Sequence, residues 1–184
     1  MKTAIPCKNV VLIGFKGSGK SRIGKLLAKK LGYEFMDIDT LIENEYRKNG
    51  ARRISVRTIY KKFGRDRFLG LEAKALRRAA RAAGAVISLG GGSPMNEKFD
   101  RGAFKDTAFV HLDVRPATLF ARIMRKGIPP FFDKKSPKKS FTALYRERTP
   151  TYARIADLTV DNTKRPPALT CREIVAGLGG TSDE

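Results

Sequence analysis

The chain has 184 residues, of which 38 are Lys or Arg and 18 are Asp or Glu, so its formal net charge at pH 7 is +20. This length predicts one domain, spanning 1–184, with a core large enough to need no disulfide or metal. A hydrophobic content of 41% excludes a disordered polar chain, and no apolar run reaches the roughly 20 residues of a membrane helix. Residues 1–9 contain no secretory signal, and Cys7 and Cys171 are far apart, so we expect reduced thiols in a cytoplasmic protein.

The large positive charge predicts an anionic ligand but leaves its class open. Nucleic acid is one class, yet the sequence has no zinc-ligand spacing, no aromatic-and-basic repeat and no RNA-binding strand motif that would favour it. A phosphorylated small molecule that carries carboxylates is another class. A surface that is simply basic, or adapted to salt, explains the charge without any ligand.

Apolar runs alternate along the chain with segments of helical period, which is typical of an α/β domain with a mainly parallel sheet. Strands are predicted at 10–13, 34–39, 85–89, 108–112 and 158–160. Helices are predicted from about 23 to 31, in several pieces over 40–83 with breaks near Gly50 and Gly64, and at about 169–178.

The stretch 125–148, between the last two predicted strands, differs from the rest of the chain. It contains Pro129, Pro130, Pro137 and two lysine pairs, so it is a poor candidate for the core. A loop of this length inside a small domain is usually functional, often as a lid, or disordered.

The strongest motif is GFKGSGKS at 14–21, which fits G-x-x-x-x-G-K-[ST] between a buried strand and an amphipathic helix. Its glycines let successive backbone N–H groups turn toward one phosphate, and the helix adds the positive end of its dipole. Lys20 is expected to reach the β- and γ-phosphates of a nucleotide, and the Ser21 hydroxyl to ligate Mg²⁺. The nucleotide-binding residues predicted here are Gly17, Ser18, Gly19, Lys20 and Ser21.

A second candidate site is Asp37-Ile38-Asp39, at the end of the second predicted strand. Alternate strand residues point to the same side, so both carboxylates are expected to face the phosphate loop. One can hold the metal or its water, and the other can accept the proton of a substrate hydroxyl. The alternative is that the two acids cap the helix that begins near Thr40.

Three consecutive glycines, Gly90, Gly91 and Gly92, follow the third predicted strand. Because they have no side chains, they allow a ligand to approach the backbone closely. An ordinary tight loop has the same composition, so this motif alone is weak.

These motifs, followed by R-x-P-x-Y-x-x-x-A at 148–156, together resemble the shikimate kinase family of P-loop small-molecule kinases, over about 10–178. The resemblance implies a five-stranded parallel sheet of order 2-3-1-4-5 flanked by helices, with a substrate-binding helical region at about 40–83 and a lid at about 125–148. It also implies transfer of the γ-phosphoryl group of ATP to a hydroxyl of shikimate, with Mg²⁺.

The resemblance further implies a role for individual residues. Asp37 lies near the metal with Ser21, and Asp39 holds the accepting hydroxyl and is the base. Arg148 pairs with the acceptor carboxylate, is catalytic together with Lys20 and Asp39, and borders the acceptor with Gly90, Gly91 and Gly92. The residues implied to form the adenine pocket are Arg122, Arg165 and Pro167.

Two positions depart from the family pattern. Leu69 stands where an arginine clamps the acceptor carboxylate, and Pro129 stands where a lid arginine meets the transferring phosphate and the substrate. Leucine or proline cannot replace a planar guanidinium fork. Either other cations take over, with candidates Arg65, Arg67, Lys134 and Lys135, or the acceptor is not shikimate.

The first hypothesis is therefore a monomeric, ATP-dependent kinase that phosphorylates a small acidic acceptor, with no membrane association. The alternatives are a kinase of the same fold for another polyol acid or sugar, and a non-catalytic nucleotide-binding module with a basic interaction surface. Intact Asp37 and Asp39 favour an enzyme, because a pure binding module needs no base.

Overall fold

The computed structural model describes residues 3–48, 50, 52 and 54–180. Its strands are β1 (Asn9–Ile13), β2 (Glu34–Asp37), β3 (Ala85–Ser88), β4 (Thr107–Asp113) and β5 (Leu158–Asp161). They form one five-stranded sheet in the order β2-β3-β1-β4-β5, and every neighbouring pair is parallel. The predicted fold class and strand order are confirmed, although β2 ends at Asp37 rather than at Asp39.

Six α-helices of the described residues surround the sheet. They are α1 (Lys20–Leu31), α2 (Ile38–Arg47), α3 (Val56–Ala79), α4 (Pro116–Met124), α5 (Pro137–Ile155) and α6 (Pro167–Gly177). None of them is long and apolar enough to cross a membrane.

The central strand β1 is buried on both faces, as its continuous apolar run requires. Val10 and Leu12 point to one face and pack in a hydrophobic cluster with α1 and α6. Val11 and Ile13 point to the other face and pack in a larger cluster with residues of α2, α3, α4 and α5. Helices on both faces leave the carboxyl ends of the strands as the open edge where a ligand can bind.

The predicted helical pieces in 40–83 form two helices, because α2 ends at Arg47 and α3 begins after the N-cap Ser55. The Ser55 hydroxyl accepts a hydrogen bond from the backbone N–H of Thr58, which fixes this start. Gly64 kinks α3 with φ of 77° and ψ of −179°, a conformation that favours glycine.

The expectation of one long loop over 125–148, outside the core, is wrong. Only 125–136 lie outside helices, because α5 begins at Pro137. Phe132 and Phe141 are each 4% exposed and belong to the larger core cluster. The prolines misled the prediction, since proline is well tolerated in the first turn of a helix, where its missing N–H has no partner to lose.

Candidate active site

The phosphate loop connects β1 to α1, as its motif predicts. Gly14, Gly17 and Gly19 have φ values of 137°, 87° and 101°, which residues with side chains rarely adopt. A Cβ atom on Gly19 would lie 2.7 Å from the Asn162 side-chain nitrogen, which itself donates a 2.7 Å hydrogen bond to the Ser18 carbonyl. The end of β5 thus fixes the curvature of the loop.

Lys20 is the first residue of α1 and is only 8% exposed. Its ammonium donates hydrogen bonds to the carbonyls of Gly14 at 2.8 Å and Phe15 at 3.0 Å, so it lies across the phosphate loop. Burial lowers its pKa to about 8, although the carboxylates of Asp39 and Asp37 oppose this effect. A bound anion would restore the charge of this lysine, which is the behaviour required of a phosphate-binding group.

The Ser18 hydroxyl lies inside the same loop, fully buried and without a hydrogen-bond partner among the described residues. Leaving a buried hydroxyl unpaired costs about 1–3 kcal/mol. A loop that contains an unsatisfied hydroxyl and a buried ammonium therefore suits a polar, anionic ligand.

The expectation that Asp37 and Asp39 both extend from a strand is wrong for Asp39, and the helix-capping alternative is correct for Asp37 only. Asp37 is the N-cap of α2, and its Oδ1 accepts a 3.0 Å hydrogen bond from the backbone N–H of Asp39. Asp39 therefore lies in the first turn of α2. The carboxylates of Asp39 and Asp37 both act on the Lys20 ammonium and raise its pKa, against the effect of burial.

The predicted metal residues, Ser21 and Asp37, are in contact. The Ser21 hydroxyl donates a 2.8 Å hydrogen bond to Asp37 Oδ2 and lies 3.5 Å from the Ser88 hydroxyl at the end of β3. These are oxygen donors, which Mg²⁺ prefers, and Mg²⁺ commonly takes one or two protein oxygens and completes its shell with phosphate and water. The donor set fits this ion.

Asp39 faces the glycine loop. Its Oδ1 lies 3.7 Å from the position that a Cβ atom on Gly90 would occupy. Asp39 is an exposed residue, but the protein around its carboxylate displaces part of the surrounding water. This partial desolvation, together with the charge of the Asp37 carboxylate, raises the pKa of Asp39 to about 6. At pH 7 such a carboxylate is mostly ionised and able to accept a proton.

The glycine loop, residues 90–92, is held from two sides. The buried Glu72 of α3 accepts hydrogen bonds from the hydroxyl of Ser93 at 2.7 Å and from the amide of Asn96 at 2.9 Å. The hydroxyl of Tyr152 of α5 donates a hydrogen bond to the Gly91 carbonyl. Glu72 and Tyr152 were not among the predicted site residues, since each acts on the loop only through tertiary contacts.

Arg148 reaches the other side of this loop, with its guanidinium 3.8–4.0 Å from the Cβ position of Gly92. The guanidinium carbon lies 5.7 Å from the centre of the Phe15 ring and 5.9 Å from that of Phe131. Its Nε is buried and has no hydrogen-bond partner among the described residues. Two aromatic rings therefore hold a guanidinium that retains an unsatisfied donor.

The residues predicted for the adenine pocket lie at the ends of α4 and β5. Arg122 donates hydrogen bonds to the carbonyls of Thr163 at 2.6 Å, Asn162 at 3.2 Å and Gly17 at 3.4 Å, so it connects α4 to the phosphate loop. Arg165 forms an ion pair with Glu173 of α6, and Pro167 begins that helix. Their contact with adenine remains a prediction.

The backbone carbonyls of the two positions that lack the expected arginine both accept hydrogen bonds. The Leu69 carbonyl accepts a 3.2 Å hydrogen bond from Asn96, and the Pro129 carbonyl accepts one of 3.1 Å from the N–H of Phe132. The four candidate replacements are exposed, and their side chains have no hydrogen bond or ion pair with any described residue: Arg65, Arg67, Lys134 and Lys135.

Comparisons with known proteins agree with this geometry. A model of the shikimate kinase family matches residues 16–178. The shikimate kinase of Rhizobium meliloti (strain 1021) is 35% identical over 96% of this chain and 88% of that protein, and that of Moorella thermoacetica is 37% identical over 92% and 94%. The structure of shikimate kinase from Acinetobacter baumannii in complex with shikimate has a TM-score of 0.80 at 26% identity, covering 92% of this chain and 91% of that one. Because the family model covers most of the chain and both relatives are at least 35% identical over more than nine-tenths of it, this chain belongs to the shikimate kinase family.

Proposed function

We propose that this protein transfers the γ-phosphoryl group of ATP to a hydroxyl of shikimate, in the presence of Mg²⁺. The observation that carries the proposal is the meeting of three charged groups at one edge of the sheet: the ammonium of Lys20, the carboxylate of Asp39 and the guanidinium of Arg148. The glycine loop lies between the last two, within 4 Å of each at its Cβ positions.

On the nucleotide side, the backbone of Gly17, Ser18 and Gly19 surrounds the phosphates, and Lys20 neutralises their charge. The buried Ser18 hydroxyl, which lacks a partner, gains one there. Arg122, Arg165 and Pro167 line the adenine end. The substrate charge raises the pKa of Lys20 from its value of about 8, so the lysine is fully protonated in the complex.

Mg²⁺ would be held by the Ser21 hydroxyl and, directly or through water, by Asp37. It would supply charge neutralisation at the phosphate oxygens. The hydrogen bond between Ser21 and Asp37 places both oxygen donors at the same point beside the loop.

On the acceptor side, Asp39 orients the attacking hydroxyl and takes its proton. The hydroxyl oxygen forms a bond to the γ-phosphorus, the bond from phosphorus to the bridging oxygen breaks, and ADP leaves with that electron pair. A pKa of about 6 keeps Asp39 ionised at pH 7 while leaving it basic enough to receive the proton.

Arg148 binds the acceptor carboxylate with its guanidinium fork. The glycine loop lets the acceptor ring approach the backbone between Asp39 and Arg148, because a Cβ atom on Gly90 or Gly92 would point into that space. The rings of Phe15 and Phe131 restrict the guanidinium to this orientation, which reduces the entropy lost on binding.

A coupled assay of ADP release tests the proposal, with shikimate compared against other polyol acids and neutral sugars at equal concentration. We expect shikimate to give the highest kcat/KM and phosphorus NMR to show one new phosphate monoester. ADP release that is independent of any acceptor, or a preference for a neutral sugar, would contradict it.

The cysteines bear on where this reaction takes place. Cys7 and Cys171 are both free thiols, and burial raises the pKa of Cys171 to about 11, which leaves that thiol unreactive. Reduced thiols and a requirement for ATP both fit the cytoplasm, which we propose as its location.

A further inference from the structure

The acceptor site of this protein lacks two guanidinium groups of the family pattern, at Leu69 and Pro129. Arg148 provides one fork, which cannot neutralise both a carboxylate and a transferring phosphate. The four exposed candidates near these positions, Arg65, Arg67, Lys134 and Lys135, have no side-chain hydrogen bond or ion pair with a described residue that would hold them toward the acceptor. A cation other than these four has to be considered.

Arg57, in the first turn of α3, is a candidate for that cation. Its Nη2 donates a 3.2 Å hydrogen bond to the carbonyl of Ile128, the residue immediately before Pro129. Its remaining N–H groups have no partner in the described part of the chain. The guanidinium therefore contacts the residue next to Pro129, where the family pattern has its lid arginine.

Helix stability does not explain an arginine at this place. The positive end of the helix dipole disfavours cations in the first turn, and the first turn of α3 itself contains no acidic residue. The Glu43 carboxylate of α2 accepts a 3.3 Å hydrogen bond from the N–H of Val56 and so offsets part of this effect. The contact that the Arg57 side chain makes is its hydrogen bond to the Ile128 carbonyl, which lies outside α3.

Arg57 and Arg148 each contact the short segment 128–132. The N–H of Phe132 donates a 3.1 Å hydrogen bond to the Pro129 carbonyl, and the ends of such a turn lie within about 7 Å of each other. Ile128, just before the turn, binds Arg57, and the ring of Phe131, within the turn, lies 5.9 Å from the Arg148 guanidinium. The two arginines thus approach the same short segment from α3 and from α5.

We propose that Arg57 supplies the second cation of the acceptor site and takes over the role of the arginine missing at Pro129. Arg57 exchanges the neutral Ile128 carbonyl for an anionic oxygen of the bound acceptor, since a charge-assisted hydrogen bond is about twice as strong as a neutral one. This inference rests on the proposed function, because it requires an acidic acceptor.

Four variants test whether Arg57 binds the acceptor as a cation or only holds the 129–132 turn in place through its hydrogen bond. Arg57→Ala removes both the charge and the hydrogen bond, Arg57→Gln keeps a donor without the charge, and Arg57→Lys keeps the charge. Arg77→Ala is the matched control, because Arg77 is also exposed on α3 and loses the same charge far from the turn. The readouts are the KM values for shikimate and ATP, kcat, and calorimetric binding of shikimate in the presence of ADP.

We expect Arg57→Ala and Arg57→Gln to raise the KM and Kd for shikimate about tenfold or more, with Arg57→Lys intermediate and Arg77→Ala unchanged. The KM for ATP should stay within about twofold. Adding Pro129→Arg to Arg57→Ala should recover at least about threefold of the lost shikimate affinity, because it returns a guanidinium to the same segment.

Two results would overturn this inference and leave the proposed function intact, provided that the wild-type protein phosphorylates shikimate. One is an Arg57→Ala variant that binds shikimate as tightly as the wild type. The other is an Arg57→Gln variant that keeps the shikimate affinity that Arg57→Ala loses. The latter result would mean that Arg57 acts only through its hydrogen bond to the Ile128 carbonyl. A wild-type protein that neither binds shikimate nor releases ADP in response to it would instead refute the proposed function, and the inference with it.

Discussion

The Ser21 hydroxyl donates a 2.8 Å hydrogen bond to the carboxylate of Asp37, and this bond joins the phosphate loop to the helix that carries the proposed base. The second oxygen of the same carboxylate accepts the N–H of Asp39 and thereby caps α2. One side chain thus fixes the position of Asp39 relative to the nucleotide side. The predictions below concern the residues on either side of this connection.

Lys20→Ala should reduce kcat/KM for ATP by about 100-fold or more, because it removes the cation that meets the developing phosphate charge. The fold should persist, since the lost hydrogen bonds are to two loop carbonyls. ADP release and far-UV circular dichroism measure the two effects. Lys29→Ala, an exposed lysine of the same helix, is the control. Turnover close to normal in the folded Lys20 variant would rule out this role.

Asp39→Asn should lower kcat by about 10²- to 10⁴-fold, because an amide cannot accept the hydroxyl proton. Affinity for ATP should change little, and equilibrium nucleotide binding checks this. Asp37→Asn should behave differently, raising the KM for Mg·ATP, since that carboxylate contacts Ser21. An Asp39 variant that loses ATP binding would instead mark Asp39 as a metal or structural residue.

The pH profile of kcat/KM should fall below about pH 6, where Asp39 becomes protonated, and above about pH 8, where Lys20 loses its charge. The ammonium of Lys16 lowers the pKa of both groups. Lys16→Met should therefore move both limbs of the profile to higher pH, whereas Lys29→Met should leave them in place. If the two limbs of the Lys16→Met profile stay fixed or move to lower pH, groups other than Asp39 and Lys20 control the pH dependence.

Phe131→Leu should raise the KM for shikimate about two- to fivefold, because a cation–π contact at an exposed site contributes about 0.5–1 kcal/mol to holding Arg148. Phe131→Tyr keeps the ring and should remain close to the wild type. Phe63→Leu is a matched control, since Phe63 and Phe131 are each 38% exposed and Phe63 packs on Tyr46 instead. Equal KM values for the Phe131→Leu and Phe63→Leu variants would exclude the contact with Arg148 as the cause.

Local requirements made several features predictable from the sequence alone. The phosphate loop has positive φ at Gly14, Gly17 and Gly19, and glycine adopts such angles without the steric strain that a side chain causes. The positions of the glycines in the motif therefore predict the conformation of the loop. The apolar run of β1 predicts a strand buried on both faces for a similarly local reason. Strand order came from the family resemblance, because parallel pairing joins segments that are far apart in the chain.

Tertiary structure decided the rest of the site. Asp39 has the same neighbours in sequence whether 38–39 continue a strand or begin a helix, and the cap by Asp37 selects the helix. The burial of Phe132 and Phe141 turns a proline-rich, basic stretch into part of the core. The bond from Arg57 to Ile128 joins residues 71 apart in the chain and has no local signal at all. Such contacts depend on how two elements pack, and packing is set by the whole hydrophobic core rather than by the residues that meet.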